Sequence, residues 1–137
     1  ELLKSLPAWN KVEFKGKVPH HEVKNIYSMS IAGMAVNYSE QSIVGGTLGN
    51  TKLFEYMSAE LPIICSNHKL WKEIVEEYDC GISVDPNNTV ELENAIKYII
   101  DHPDQAKRMG QNGRRAIEEK YNWSTQEVVL LELYSKM

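Results

Sequence analysis

The stretch GGTLGNTKLFEYMSAELPIIC, Gly45 to Cys65, decides how the rest of the chain is read. It opens with Gly45, Gly46 and Gly49, which free the backbone for close approach to another group. A short helix is expected from Thr51 to Ala59, with Asn50 as its N-cap. Leu53, Phe54 and Met57 then share one side and Lys52, Glu55 and Ala59 the other. Pro62 to Cys65 reads as a buried strand. Lys52 falls in the first helical turn, where the macrodipole disfavours a cation. A bound anion there explains both the lysine and the glycines. Such an anion reads as a diphosphate, with Glu55, one turn further in, meeting a sugar hydroxyl. An unliganded surface loop, with Glu55 a solvated partner of Lys52, is the competing reading, and composition leaves both open.

Outward from this stretch, strands alternate with helices. Upstream, residues 1–8 resemble a helix tail ended by Pro7, and Lys11–Lys15 alternates like a short strand. Gly16 to Pro19 is a turn, His20–Met29 a helix and Met34–Tyr38 a buried strand. Downstream, Trp71, Ile74, Val75 and Tyr78 follow helical spacing from a cap at Ser66 or Asn67. Gly81 stands where a left-handed C-cap is wanted, and Ile82–Val84 is a strand. Thr89 is expected to cap a helix burying Leu92, Ala95, Ile96, Ile99 and Ile100. Pro103 opens a further helix to about Tyr121, whose Gly110 and Gly113 imply close packing, since mid-helix glycine otherwise destabilises. Ser124 to Glu127 reads as a capping box for a last helix, about 124–136, with Trp123 and Val128 as a staple. The alternation predicts an α/β domain over residues 1–137: a Rossmann-like parallel sheet covered by helices on both faces. Ligands of such sheets bind beyond the carboxyl ends of the strands. The loops at Gly16–Pro19, Ser39–Asn50 and Ser66–Lys69 are therefore expected to line one cleft.

Composition narrows the function. The 137 residues carry 42% hydrophobic and 25% charged side chains, which fits one soluble globular domain. A net charge of −4 argues against nucleic acid as partner. No apolar run spans a membrane. Glu1 is not a natural start, so residues are expected to precede it. Cys65 and Cys80 lack CxxC or zinc spacing, and Cys65 reads as a core residue, so a reduced, cytoplasmic setting is expected. The glycine-rich stretch is not a P-loop: GxxxxGK[ST] spacing is missing, and Lys52 follows its threonine. His20 and His21 have no acidic or thiol cluster at ligand spacing and read as solvated helix-start residues. His68 lies in a cleft loop but reads as a solvated helix start. No Ser/His/Asp, Cys/His or HExxH arrangement is present.

Several runs resemble a known family, the group 1 glycosyltransferases. They are Lys52 to Met57 with Ala59 and Leu61 to Ile64, Glu73-Ile74-Val75 with Cys80-Gly81-Ile82, and Met109 to Arg114 with Tyr121 to Ser124. Val12 to Val18 is similar to that family's strand before its base-binding turn. The resemblance covers nearly the whole chain. It implies the donor-binding, C-terminal lobe of a two-lobed GT-B enzyme, truncated at its N-terminus, with the acceptor lobe elsewhere in the parent chain.

The resemblance also implies roles. Glu55 matches the glutamate that binds the ribose hydroxyls. The backbone from Gly49 through Asn50 and Thr51 to Lys52 matches the helix start that meets the diphosphate, and Leu53 follows it among the donor-binding positions. Lys52, by its charge beside that diphosphate, is a candidate leaving-group stabiliser. Lys17 and Val18 match the turn that contacts the nucleobase. Many members carry a sugar-binding glutamate eight residues before Glu55; here Thr47 stands there, and Glu40 is a substitute from the longer loop. Glu60 occupies a position where the family usually has glycine, at roughly 1 kcal/mol for a left-handed helix end.

The implied activity is retaining, hexosyl-type transfer from a nucleoside-diphosphate sugar to a polysaccharide, lipid-linked or other cell-envelope glycan. It needs no metal or other cofactor, and this chain alone is expected to be inactive. A non-catalytic nucleotide-sugar-binding module, which Thr47 favours, and a sugar-nucleotide epimerase of the same architecture remain as alternatives. Peripheral attachment of the longer protein to the inner membrane face is left open, as are the base, sugar, acceptor and linkage.

Overall fold

Strands β1 (Gly33–Ala35), β2 (Ile63–Ser66) and β3 (Gly81–Val84) form a parallel sheet in the order β1-β2-β3. They belong to a computed structural model that describes residues 2–37 and 50–136. Gly33 pairs with Ile63, and Ile63 in turn with Gly81, so the three strands start level. Parallel neighbours cannot be joined by a tight hairpin. A helix accordingly lies between each pair: α2 (Lys52–Ser58) between β1 and β2, and α3 (Lys69–Tyr78) between β2 and β3. Helix α1 (His20–Ser28) precedes the sheet. Helices α4 (Thr89–Asp101), α5 (Pro103–Glu119) and α6 (Trp123–Ser135) follow it.

The central strand β2 is buried along its whole length, and its alternate side chains feed two cores. Ile63 and Cys65 pack with Leu53 and Met57 of α2, Trp71, Ile74 and Val75 of α3, and Ala116 of α5. Ile64 points the other way and packs with Val84, Ala95, Ile99, Ala106 and Met109. Helix α5 therefore serves both faces, its start on one core and its end on the other. The covered parallel sheet matches the sequence reading.

Two glycines are fixed by contact. A Cβ on Gly110 would lie 1.9 Å from the carbonyl oxygen of Glu60, so α5 rests directly on the turn that leads into β2. A Cβ on Gly81 would lie 2.2 Å from the carbonyl oxygen of Ile63. Gly81 is thus a strand residue pressed against its neighbour. The left-handed C-cap of α3 falls on Asp79 instead, at φ 47°; aspartate is among the few residues that tolerate this region. Glu60 is left-handed as expected, at φ 57°.

Other elements depart from the sequence reading. Residues 2–11 form two 3₁₀ turns, and Pro7 opens the second because its fixed φ suits a first helical position. Residues 12–15 form no strand. Their alternation matches a half-buried strand, but none of the described ladders reaches them, and Phe14 stays 71% exposed. The strand read at Met34–Tyr38 is Gly33–Ala35, with Met34 46% exposed and Tyr38 outside the described residues. Asn88 replaces Thr89 as cap of α4, its side-chain oxygen accepting from the amides of Val90 and Glu91. Ile96 and Ile100 of α4 are partly open to solvent. Asn122 likewise caps α6 by accepting from the Thr125 amide at 3.0 Å, and Trp123 and Val128 remain exposed without forming a staple. In both cases an asparagine just upstream outcompeted the hydroxyl residue, as its carbonyl oxygen is at least as good a cap.

Candidate functional site

Helix α2 carries the residues on which the sequence reading rests. Leu53 and Met57 are fully buried in the core, which turns Glu55 toward α1. The N-cap of α2 is Thr51 rather than the expected Asn50, which stands one residue before it and accepts from the Lys52 amide at 3.3 Å. Thr51 and Lys52 are exposed, so the helix start is open among the described residues. Among the described residues Lys52 makes no ion pair, and it does not pair with Glu55.

Glu55 is bound otherwise. Its Oε2 accepts from the Tyr27 hydroxyl at 2.8 Å and its Oε1 from the Thr51 hydroxyl at 2.9 Å. Tyr27 lies 28 residues upstream on α1. Burial, followed by the hydrogen bond to Glu55 and that residue's charge, pushes the Tyr27 phenol well above its ordinary range, so it stays a donor. The Tyr27 ring meets Tyr56 edge-on at 5.6 Å. Tyr56 donates to the carbonyl of Met34 at 3.2 Å and packs over Gly33, where a Cβ would fall 2.2 Å from its ring.

Glu55 and Thr51 open on a groove of about 640 Å³ between α1, α2 and α5, within the size range of small-molecule sites. Its walls include His20, Lys24 and Tyr27 from α1, Phe54 from α2, Arg114 from α5 and Tyr121 just beyond the end of α5. Arg114 is held by the carbonyl of Ser58 at 2.9 Å and by Glu118 at 2.7 Å. Phe54 and Tyr121 are in ring contact at 5.1 Å.

The remaining predicted positions divide. Lys17 and Val18 line a separate depression on the other side of α1, with Pro19, Glu22 and Met29. Gly16–Pro19 follows no strand, which is why that turn is not brought beside Glu55 in a single cleft. The 66–68 loop does meet the end of β1: Ser66 and His68 bond Asn37 at 2.7–2.9 Å. His68 is therefore partnered, and it also packs edge-on against Trp71. Leu53 is buried, so only its backbone is available to a ligand. Glu40, Thr47 and Gly49, with the rest of 38–49, lie outside the described residues. Sequence reasoning missed Tyr27, whose helical spacing only puts it on one face with Val23 and Ile26, and Arg114, which no spacing tied to Glu55.

The family model for glycosyl transferases group 1 matches residues 1–116. The chain belongs to that family. Among similar proteins of this group 1 domain is an MMP alpha-(1->4)-mannosyltransferase of Mycolicibacterium hassiacum, 29% identical over 83 residues, covering 60% of this chain and 20% of the relative. The alpha-D-kanosaminyltransferase of Streptomyces kanamyceticus is 22% identical over 129 residues, covering 93% and 31%. Spore coat protein SA of Bacillus subtilis is 31% identical over 84 residues, covering 61% and 22%. A sucrose-phosphate synthase from Thermosynechococcus elongatus has the same fold over 98% of this chain and 32% of its own, with a TM-score of 0.76 and 25% identity. The group 1 domain thus spans a third or less of the proteins it resembles. No helix among the described residues is long and apolar enough to cross a membrane.

Proposed function

We propose that this chain is the donor-binding lobe of a two-lobed, retaining glycosyltransferase that moves a hexosyl group from a nucleoside diphosphate to a glycan or lipid-linked acceptor. The single observation that carries the reading is the half-buried Glu55 carboxylate, fixed at the rim of an open groove in a chain of this family. In this reading Glu55 accepts hydrogen bonds from the ribose hydroxyls. The backbone from Gly49 to Leu53 meets the diphosphate, and Lys52 stabilises the negative charge that grows on it as the glycosidic bond breaks. Lys17 and Val18 offer main-chain contacts to the base. Glu40 or Thr47 touches the transferred sugar. The acceptor lobe belongs to the rest of the protein, the reaction needs no metal, and the enzyme works in the cytoplasm.

Calorimetric titration of the full protein with UDP, GDP and ADP sugars tests this. One of them binds, and Glu55→Gln weakens it about thirtyfold, the equivalent of about 2 kcal/mol for a charged hydrogen bond. Absence of binding by every nucleotide, or unchanged affinity in the variant, contradicts the reading. Thr47, at the position of the usual sugar-binding glutamate, favours a second reading: a module that binds the donor without transferring it. Binding with neither transfer nor slow donor hydrolysis supports that one.

A further inference from the structure

Glu55 is held in a way that the donor-binding reading alone does not require. Each of its oxygens takes one hydroxyl, from Tyr27 at 2.8 Å and from Thr51 at 2.9 Å. A carboxylate offers about four acceptor sites. Two are filled from inside the protein, and one on each oxygen is left. The two donors come from different elements, so the carboxylate is fixed against rotation as well as translation.

The clamp is tied back to the sheet. Tyr27 is steadied by the edge of Tyr56. Tyr56 is steadied in turn by its bond to the Met34 carbonyl and by the side-chain-free space over Gly33. A half-exposed glutamate on a helix surface ordinarily samples several rotamers, and binding must freeze them. Here that ordering is already done, which is how preorganised sites gain affinity.

We propose that Tyr27 is a positioning residue, holding the Glu55 carboxylate so that its two free acceptor sites receive the vicinal hydroxyls of the donor's ribose. The inference rests on the donor-binding reading. It adds that discrimination for ribose comes from α1 as well as from α2.

The test uses calorimetry on the full protein, with UDP, GDP or ADP, whichever binds, and the 2′,3′-dideoxy form of the same nucleotide. Tyr27→Phe keeps the ring against Tyr56 and removes only the hydroxyl. It is expected to weaken the ribonucleotide about tenfold, the loss of one bond to a charged acceptor, and to leave the dideoxy form within about twofold. The dideoxy affinity also reports that the variant is folded. Equal weakening of both nucleotides means a general structural role and overturns the proposal. An unchanged ribonucleotide affinity in Tyr27→Phe, with a large loss in Glu55→Gln, overturns it while leaving the donor-binding reading intact. An unchanged affinity in Glu55→Gln removes both.

Discussion

Replacing Gly110 by alanine tests whether α5 and the turn before β2 are truly in backbone contact. The new Cβ would sit 1.9 Å from the Glu60 carbonyl oxygen and 2.7 Å from its carbon, where ordinary contact begins near 3.4 Å. Both atoms are backbone, so no side chain can swing aside. The helix and the turn must part by more than an ångström, and Glu60 is already left-handed at φ 57°. Overpacking of this kind costs typically about 3 kcal/mol at the upper end of its usual range. Alanine recovers about 1 kcal/mol of helix propensity. The net loss is about 2 kcal/mol, or about 7 °C in Tm for a chain of this length. Urea and thermal unfolding followed by circular dichroism measure it. If Gly110 faced open space, the propensity gain alone would act and Tm would rise. A rise, or no change, refutes the packing argument.

Further outcomes follow from local contacts. Burial pushes the Cys65 and Cys80 thiols up to about 12, so neither reacts with iodoacetamide in the native protein and both do in urea. Their folded pKa exceeds the unfolded value near 9, so the unfolded chain releases these protons first and stability falls as pH rises from 9 to 12. That slope flattens when both are replaced by alanine. Asn88→Ala frees the amides of Val90 and Glu91 and lowers stability by about 1 kcal/mol in urea titration. An effect of similar size from Thr89→Val instead would place the cap where the sequence first put it.

Periodicity made the helices and the parallel sheet legible, because burial repeats every turn or every second residue whatever the partners are. Trp71, Ile74 and Val75 of α3, and Ala95 and Ile99 of α4, are buried as their spacing implied. Close packing at Gly110 was legible for the opposite reason: a glycine inside a strong helix needs an explanation. Residues 12–15 show the limit of the method. Alternation describes one chain's preference, while a strand exists only where a neighbour completes its hydrogen bonds. Caps failed by a residue or two, because Asn88 and Asn122 compete with adjacent hydroxyls and only the backbone geometry decides between them. At the site, Glu55 stood out by its place beside the glycine-rich loop. Tyr27 did not, since it reaches Glu55 across 28 residues of sequence and its helical spacing is that of a core residue. A hydroxyl at the end of an apolar ring gives no periodic signal.

The most direct test of the central claim is a crystal structure of the protein with the nucleoside diphosphate that binds it. The account predicts the ribose hydroxyls within hydrogen-bond distance of the Glu55 carboxylate, Tyr27 still bonded to Oε2, and the diphosphate against the backbone at Thr51 and Lys52. A nucleotide seated elsewhere, or a Glu55 carboxylate that has left Tyr27 and Thr51 and touches no part of the ligand, would contradict it.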